Sequence, residues 1–121
     1  MDAGEWDRAI GFFRRALEVD PDEPTAHASL GLILHRAGHP DRALKSFERA
    51  LARDPASPPA LWGKGLVLYE SLGKTAEAIG AWEALLRQEI SKEDRDHVLS
   101  ILAEARQRLA AGAPPVERLR R

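Results

Sequence analysis

Ala37-Gly38-His39-Pro40-Asp41-Arg42-Ala43-Leu44-Lys45-Ser46-Phe47-Glu48-Arg49-Ala50-Leu51-Ala52-Arg53-Asp54-Pro55 restates a stretch met 34 residues earlier: Ala3-Gly4, Asp7-Arg8-Ala9, Phe13, Arg15-Ala16-Leu17 and Asp20-Pro21. Working outward, the offset of 34 continues through Pro24/Pro58, Ala26/Ala60, Gly31/Gly65, Leu32/Leu66 and Leu34/Leu68, giving 16 identities in the 33 pairs from 3/37 to 35/69. Beyond that point it becomes 35, pairing Gly38 with Gly73, Ala43 with Ala78, Phe47 with Trp82 and Leu51 with Leu86. One residue has therefore been inserted near Ser71-Leu72, which the spacing assigns to the turn between two helices. Self-similarity at this period marks an array of stacked units rather than one central core.

Each unit reads as helical. Apolar residues recur at helical spacing (Leu30, Leu34; Leu44, Phe47, Leu51; Ile79, Trp82, Leu86), and no strand-like alternation persists. Asp20-Pro21 and Asp54-Pro55 end helices, since proline lacks an amide donor and disfavours helix in its predecessor. Gly38 and Gly73 stand where a helix ends with positive φ before the chain turns back. The pattern predicts helices over about 5–19, 25–37, 40–53, 59–72, 75–88 and 92–111.

These residues resemble the tetratricopeptide repeat. In the middle unit, counted from Pro24, Leu30-Gly31 match the family's Leu-Gly pair, Ala43 and Ala50 its small positions, Phe47 its aromatic and Pro55 its closing proline. His27 and Leu34 replace a usual tryptophan and tyrosine, and in the third unit Lys64 replaces a leucine and Ile90 the proline. The resemblance covers residues 3 to 90. It implies an all-α fold of antiparallel helix pairs stacked as a right-handed superhelix. The expected division is a repeat domain over 1–112 (partial repeat 1–23, repeats 24–57 and 58–90, capping helix 91–112), followed by a mobile basic tail over 113–121.

In this family the first helix of each unit lines a concave groove, so the resemblance implies a peptide-binding surface of Ala28, Leu32, His35 and Arg36 with Trp62, Leu66, Tyr69 and Glu70. The spacing i, i+4, i+7 places Trp62, Leu66 and Tyr69 on one stripe. Trp62 and Tyr69 would instead be core if the insertion lay in the Ala56-Ser57-Pro58-Pro59 loop; Gly65, Leu66 and Leu68 align without that shift. Trp82, replacing Phe47, is expected in the core. The family's clamp for a chaperone's C-terminal carboxylate needs lysine, asparagine and arginine where this chain has Ala28, Leu32, Trp62 and Leu66, which disfavours that ligand. Arg36, Lys64 and Glu70 are expected at the rim.

The first unit lacks its first helix, leaving Ile10, Phe13 and Leu17 only the second unit to pack on. Two readings follow: the chain is cut from a longer array, or this face pairs with a second copy as a homodimer or with another chain. At the other end Ser91 and Asp94 are placed to cap a final helix in which Val98, Leu102, Ala105 and Leu109 form an apolar stripe beside Ile101. Glu93, Arg95, Glu104, Arg106 and Arg108 are expected to face water.

Composition narrows the function. Lysine and arginine (18) nearly balance aspartate and glutamate (19), which gives no reason to invoke nucleic acid. No stretch is long and apolar enough to span a bilayer, and Met1-Asp2-Ala3-Gly4-Glu5 is not a secretory leader. The cytoplasm is the default location, the periplasm if a leader or anchor was removed. Absence of cysteine removes thiol chemistry and thiolate metal sites. His35 and His39 have no carboxylate at metal-ligand spacing, and no phosphate loop or nucleophile elbow occurs, so neither cofactor, metal nor enzymatic activity is expected. The expected function is binding of a partner protein's peptide or helix, with a larger enzyme's regulatory arm or a homo-oligomerisation unit as alternatives. Ala78-Ile79-Gly80-Ala81-Trp82-Glu83-Ala84-Leu85-Leu86 and the long final helix also resemble the repeat domain of bacterial cytochrome c maturation factors. That likeness implies capture of an apocytochrome's C-terminal helix.

Overall fold

Where proline or an oxygen-bearing side chain stands ahead of an apolar stripe, a helix begins. The computed structural model describes residues 2–112. It comprises α1 (Ala3–Val19), α2 (Pro24–Arg36), α3 (Pro40–Arg53), α4 (Pro58–Leu66) continuing into a π-helical turn (Val67–Ser71), α5 (Thr75–Leu86) and α6 (Lys92–Ala110), with no strand among the described residues. The expected tail over 113–121 lies outside them.

Pro24, Pro40 and Pro58 open their helices, where a missing amide costs nothing. Asp2 accepts from the Glu5 amide at 2.9 Å, Glu23 from that of Ala26 at 2.6 Å, and Ser91 from that of Asp94 at 3.0 Å, each satisfying a donor with no intrahelical partner. Gly38 and Gly73 take φ of 89° and 66°, the left-handed values that end α2 and the π turn.

The inserted residue is absorbed within the helix, not in the turn that follows. The His39 amide donates to the Leu34 carbonyl at 2.8 Å, and the Lys74 amide to that of Leu68 at the same distance. Leu34 and Leu68 are repeat partners at offset 34, His39 and Lys74 at offset 35, so the extra residue lies between these anchors. There the Leu72 amide reaches back five residues to the Val67 carbonyl at 3.0 Å. This is a π turn, a common form for a one-residue insertion in a helix. Leu61 and Leu68 stay buried, and the shift into the Ala56–Pro59 loop is unnecessary.

Antiparallel neighbours stack in chain order around two linked apolar clusters. One surrounds Phe47 and draws on α1 to α4; the other surrounds Trp82 and draws on α4 to α6; Leu44, Leu51 and Leu72 touch both. Glycine permits the close approach: a Cβ on Gly31 would lie 2.8 Å from the Phe47 ring, one on Gly63 would overlap that ring, and one on Gly65 the Trp82 indole.

Two departures concern the ends. Ile10 is buried against α2, while Phe13 and Leu17 are half-buried; the open aromatic of α1 is Phe12, 61% exposed, its ring edge-on to Phe13. In α6, Val98, Leu102 and Ala105 are buried, but Leu109 is 50% exposed because the stripe outruns the stack.

Candidate functional site

α2, and α4 with its π turn, carry the residues that the repeat register assigns to one face. Leu32, His35, Trp62, Leu66 and Glu70 are half-buried and Arg36 is exposed, whereas Ala28 and Tyr69 are buried. Leu32 packs beside the Phe47 cluster, and Trp62 and Leu66 beside the Trp82 cluster. The face is thus continuous with both cores. His35 Nε2 hydrogen-bonds Ser71 Oγ at 3.2 Å, tying the end of α2 to the π turn and fixing the two helices relative to each other.

Tyr69 is 3% exposed, so it belongs to the seam with α6 rather than to open groove surface. Its ring lies edge-on to Trp82 at 5.5 Å, and its hydroxyl donates to Glu104 Oε2 at 2.8 Å. Trp62 stands on the same seam, 5.9 Å from Trp82 and 5.2 Å from the His97 ring. The repeat register, which expects these aromatics on the groove-lining face, treats α4 as it treats α2. What it does not contain is the last helix, which covers Tyr69 and flanks Trp62.

Beside Trp62 a recess of roughly 340 Å³ opens between Pro58, Pro59, Ile90, Asp94 and His97, with Leu85 and Val98 also lining it. Its lining is apolar except for the aspartate and the imidazole. Arg95, expected in water, donates from its guanidinium to the Leu86 and Gln88 carbonyls at 3.0 and 3.2 Å. It closes the end of α5 where Ile90 replaces the usual proline, and so holds one wall of the recess. Glu104 and Arg106, also expected to be only solvated, bond Tyr69 and Glu83. Lys64 lies at the back, in the groove between α3 and α5, not at the rim.

The Tyr69 phenol is pushed up to about 12, first by burial, then by its hydrogen bond to Glu104 and that carboxylate's charge. An unfolded tyrosine titrates near pH 10. A group whose folded value is raised contributes stability that is fully present below the unfolded value and is lost as pH rises through the folded one. The seam should therefore weaken between about pH 10 and pH 12. Tyr69 is the only tyrosine, so tyrosinate absorbance reads it directly. The expected midpoint lies well above that of the urea-denatured chain, and Glu104→Gln should lower it; coincident curves would disprove the buried seam.

Among the described residues no three of histidine, cysteine, aspartate and glutamate are grouped to hold a metal ion, and no helix is long and apolar enough to cross a membrane. His27, where the family favours tryptophan, is buried; its Nε2–H donates to the Pro21 carbonyl at 2.7 Å, and its Nδ1 has no partner among the described residues.

Two family models, both described as tetratricopeptide repeat, match residues 34–94 and 1–62. No curated protein matches in sequence. Among solved structures, the first such domain of Spaghetti (RPAP3), bound to the HSP90 peptide SRMEEVD, is 21% identical with a TM-score of 0.80, covering 88% of this chain and 84% of that one. The Yersinia enterocolitica type III secretion translocator chaperone SycD is 20% identical with a TM-score of 0.80, covering 89% and 77%. PcrH, in complex with the chaperone binding region of PopD, is 19% identical with a TM-score of 0.78, covering 88% and 82%. At these identities the likeness is one of fold: an all-α solenoid of helix pairs.

Proposed function

The chain belongs to the tetratricopeptide repeat family, and from that premise we propose that it is a protein-interaction module whose first-helix face binds a segment of a partner protein, without chemistry of its own. The observation that carries this reading is the half-buried row Leu32, Trp62 and Leu66, which leads to the recess beside Trp62. Apolar groups held half-open by a rigid scaffold gain by burial at about 25 cal/mol per Å². An aliphatic side chain in the recess would supply the anchor, and Arg36 and Glu70 the polar rim. RPAP3 and PcrH are seen with peptides of other proteins, which agrees with such a role.

Leu32→Glu/Leu66→Glu tests it. Neither side chain is fully buried, so the fold is expected to survive, while partner retention in affinity capture falls at least tenfold, about 1.4 kcal/mol or more. Unchanged retention by the folded variant would move binding to another face. The apocytochrome version rests on Ala78 to Leu86, and four residues of that stretch, Ala78, Ala81, Trp82 and Leu85, are buried in α5. Core packing calls for those four residues whatever the partner.

Self-association has an observation of its own. Ala9, Phe13 and Ala16 of α1 are half-buried, while their repeat partners Ala43, Phe47 and Ala50 are fully enclosed by α2 and its neighbours. With Phe12 exposed beside them, they form an open apolar strip that a second copy would cover. Ile10 is already committed to α2 and takes no part. Under this second reading, sedimentation would show a dimer that Phe12→Glu disperses; a strict monomer at tens of micromolar excludes it.

A further inference from the structure

The back of the stack carries two grooves that the repeat makes equivalent. The first runs between α1 and α3, the second between α3 and α5, each floored by the intervening helix. In the first, Arg14, Arg42, Lys45 and Arg49 stand over Leu30 and Leu34, and no carboxylate lines it. By the repeat offsets those four cations correspond to Glu48, Glu77, Gly80 and Ala84 in the second. That second groove therefore mixes Glu48 and Glu77 with Lys64 and Lys74. The backbone is common to both. The charge is not, so the basic character belongs to the first groove's own sequence.

The cations are also unspent. Among the described residues the two ion pairs are Lys92–Asp96 and Arg106–Glu83, both in the C-terminal half, and neither involves Arg14, Arg42, Lys45 or Arg49. All four are exposed. On α3, Arg42, Lys45 and Arg49 follow i, i+3, i+7 spacing, which aligns them along about 10 Å of one helix face opposite Arg14. An isolated exposed ion pair contributes little, about 0–1 kcal/mol. Four converging cations beside an apolar floor do more, since they bind carboxylates jointly and steer the approach of an anionic partner. Arginine adds paired hydrogen bonds in a planar fork.

We propose that the groove between α1 and α3 is a second docking surface, which takes an acidic amphipathic helix of a partner protein. Its carboxylates, spaced three or four apart, bind Arg14, Arg42, Lys45 and Arg49, and an aliphatic side chain between them rests on the half-buried Leu17 and the rim of Leu30. The apolar floor and the short span favour a protein segment over nucleic acid, which gains from a long row of cations and nothing from leucine. This surface lies behind the first-helix face and does not depend on it.

The test is fluorescence anisotropy on the full chain with a labelled amphipathic peptide of leucines flanked by glutamates, at two salt concentrations. Saturable binding is expected, weakening as salt rises. It should be at least tenfold weaker for the same peptide with glutamine in place of glutamate, and likewise for Arg42→Glu/Lys45→Glu. Lys64→Glu/Lys74→Glu, which makes the same change in net charge in the second groove, should stay within about twofold. Arg42→Gln/Lys45→Gln, with a smaller expected loss, serves if the reversal variant does not fold. Absence of saturable binding, equal binding of both peptides, or equal losses in the two groove variants would overturn the proposal. So would tighter binding of a duplex oligonucleotide or of anionic vesicles at the same salt.

Discussion

Trp82→Ala is expected to remove about 3–5 kcal/mol of stability, a large share of what a domain of this size holds. Trp82 is fully buried, Trp62 and Tyr69 lie against its ring, and Gly65 passes over the indole. Truncation would leave a cavity where α4, the π turn, α5 and α6 meet. Because α6 joins this cluster through Val98, Leu102 and Ala105 and through the Tyr69–Glu104 and Trp62–His97 contacts, the seam should loosen first, with loss of near-ultraviolet circular dichroism before helicity. Trp82→Phe is the informative companion. The equivalent position in the preceding unit is Phe47, and the indole Nε1 has no hydrogen-bond partner among the described residues, so phenylalanine loses contact area but also an unpaired donor. Its cost in urea denaturation should be less than half that of alanine. Equal costs would mean that the site is not shaped for a ring.

Gly65→Ala and Gly63→Ala should each destabilise by about 1–3 kcal/mol, reversing the usual sign of this substitution. In an open helix, alanine gains about 1 kcal/mol over glycine. Here the added methyl group would overlap the Trp82 indole at Gly65 and the Phe47 ring at Gly63, and both rings are too enclosed to swing away. Gly80 supplies the control within the same molecule: it is helical, exposed, and a Cβ there meets nothing within 4 Å. Gly80→Ala should raise the denaturation midpoint while the other two lower it. A common sign for all three would contradict the close packing of α4 on its neighbours.

The period of 34 made most of the architecture legible. Repeat partners such as Phe47 and Trp82, or Gly38 and Gly73, occupy equivalent places because each unit packs on the next through the same contacts. Reading failed where that equivalence stops. The change of offset announces an inserted residue, but both a π turn and a longer loop satisfy it; the choice depends on keeping Leu68 buried while Gly73 turns the chain. The register expects Tyr69 in the groove, where it is instead buried; α6 matches no repeat, so the register does not contain the helix that covers it. Arg95 and Lys64 depart from the expected positions for a related reason. A long basic side chain can lie along either side of its helix, and in Arg95 the Leu86 and Gln88 carbonyls decide which.

Site-specific photocrosslinking addresses the binding face most directly. A photoreactive residue at Leu66 on the first-helix face, and in a separate variant at Gly80 on the back between α3 and α5, would be irradiated with a lysate of the source organism and the adducts identified. A binding surface on the first helices requires one dominant protein adduct from position 66, competed by unlabelled wild type and not by Leu32→Glu/Leu66→Glu, and no such adduct from position 80. The same protein captured from position 80 and not from 66 would contradict it.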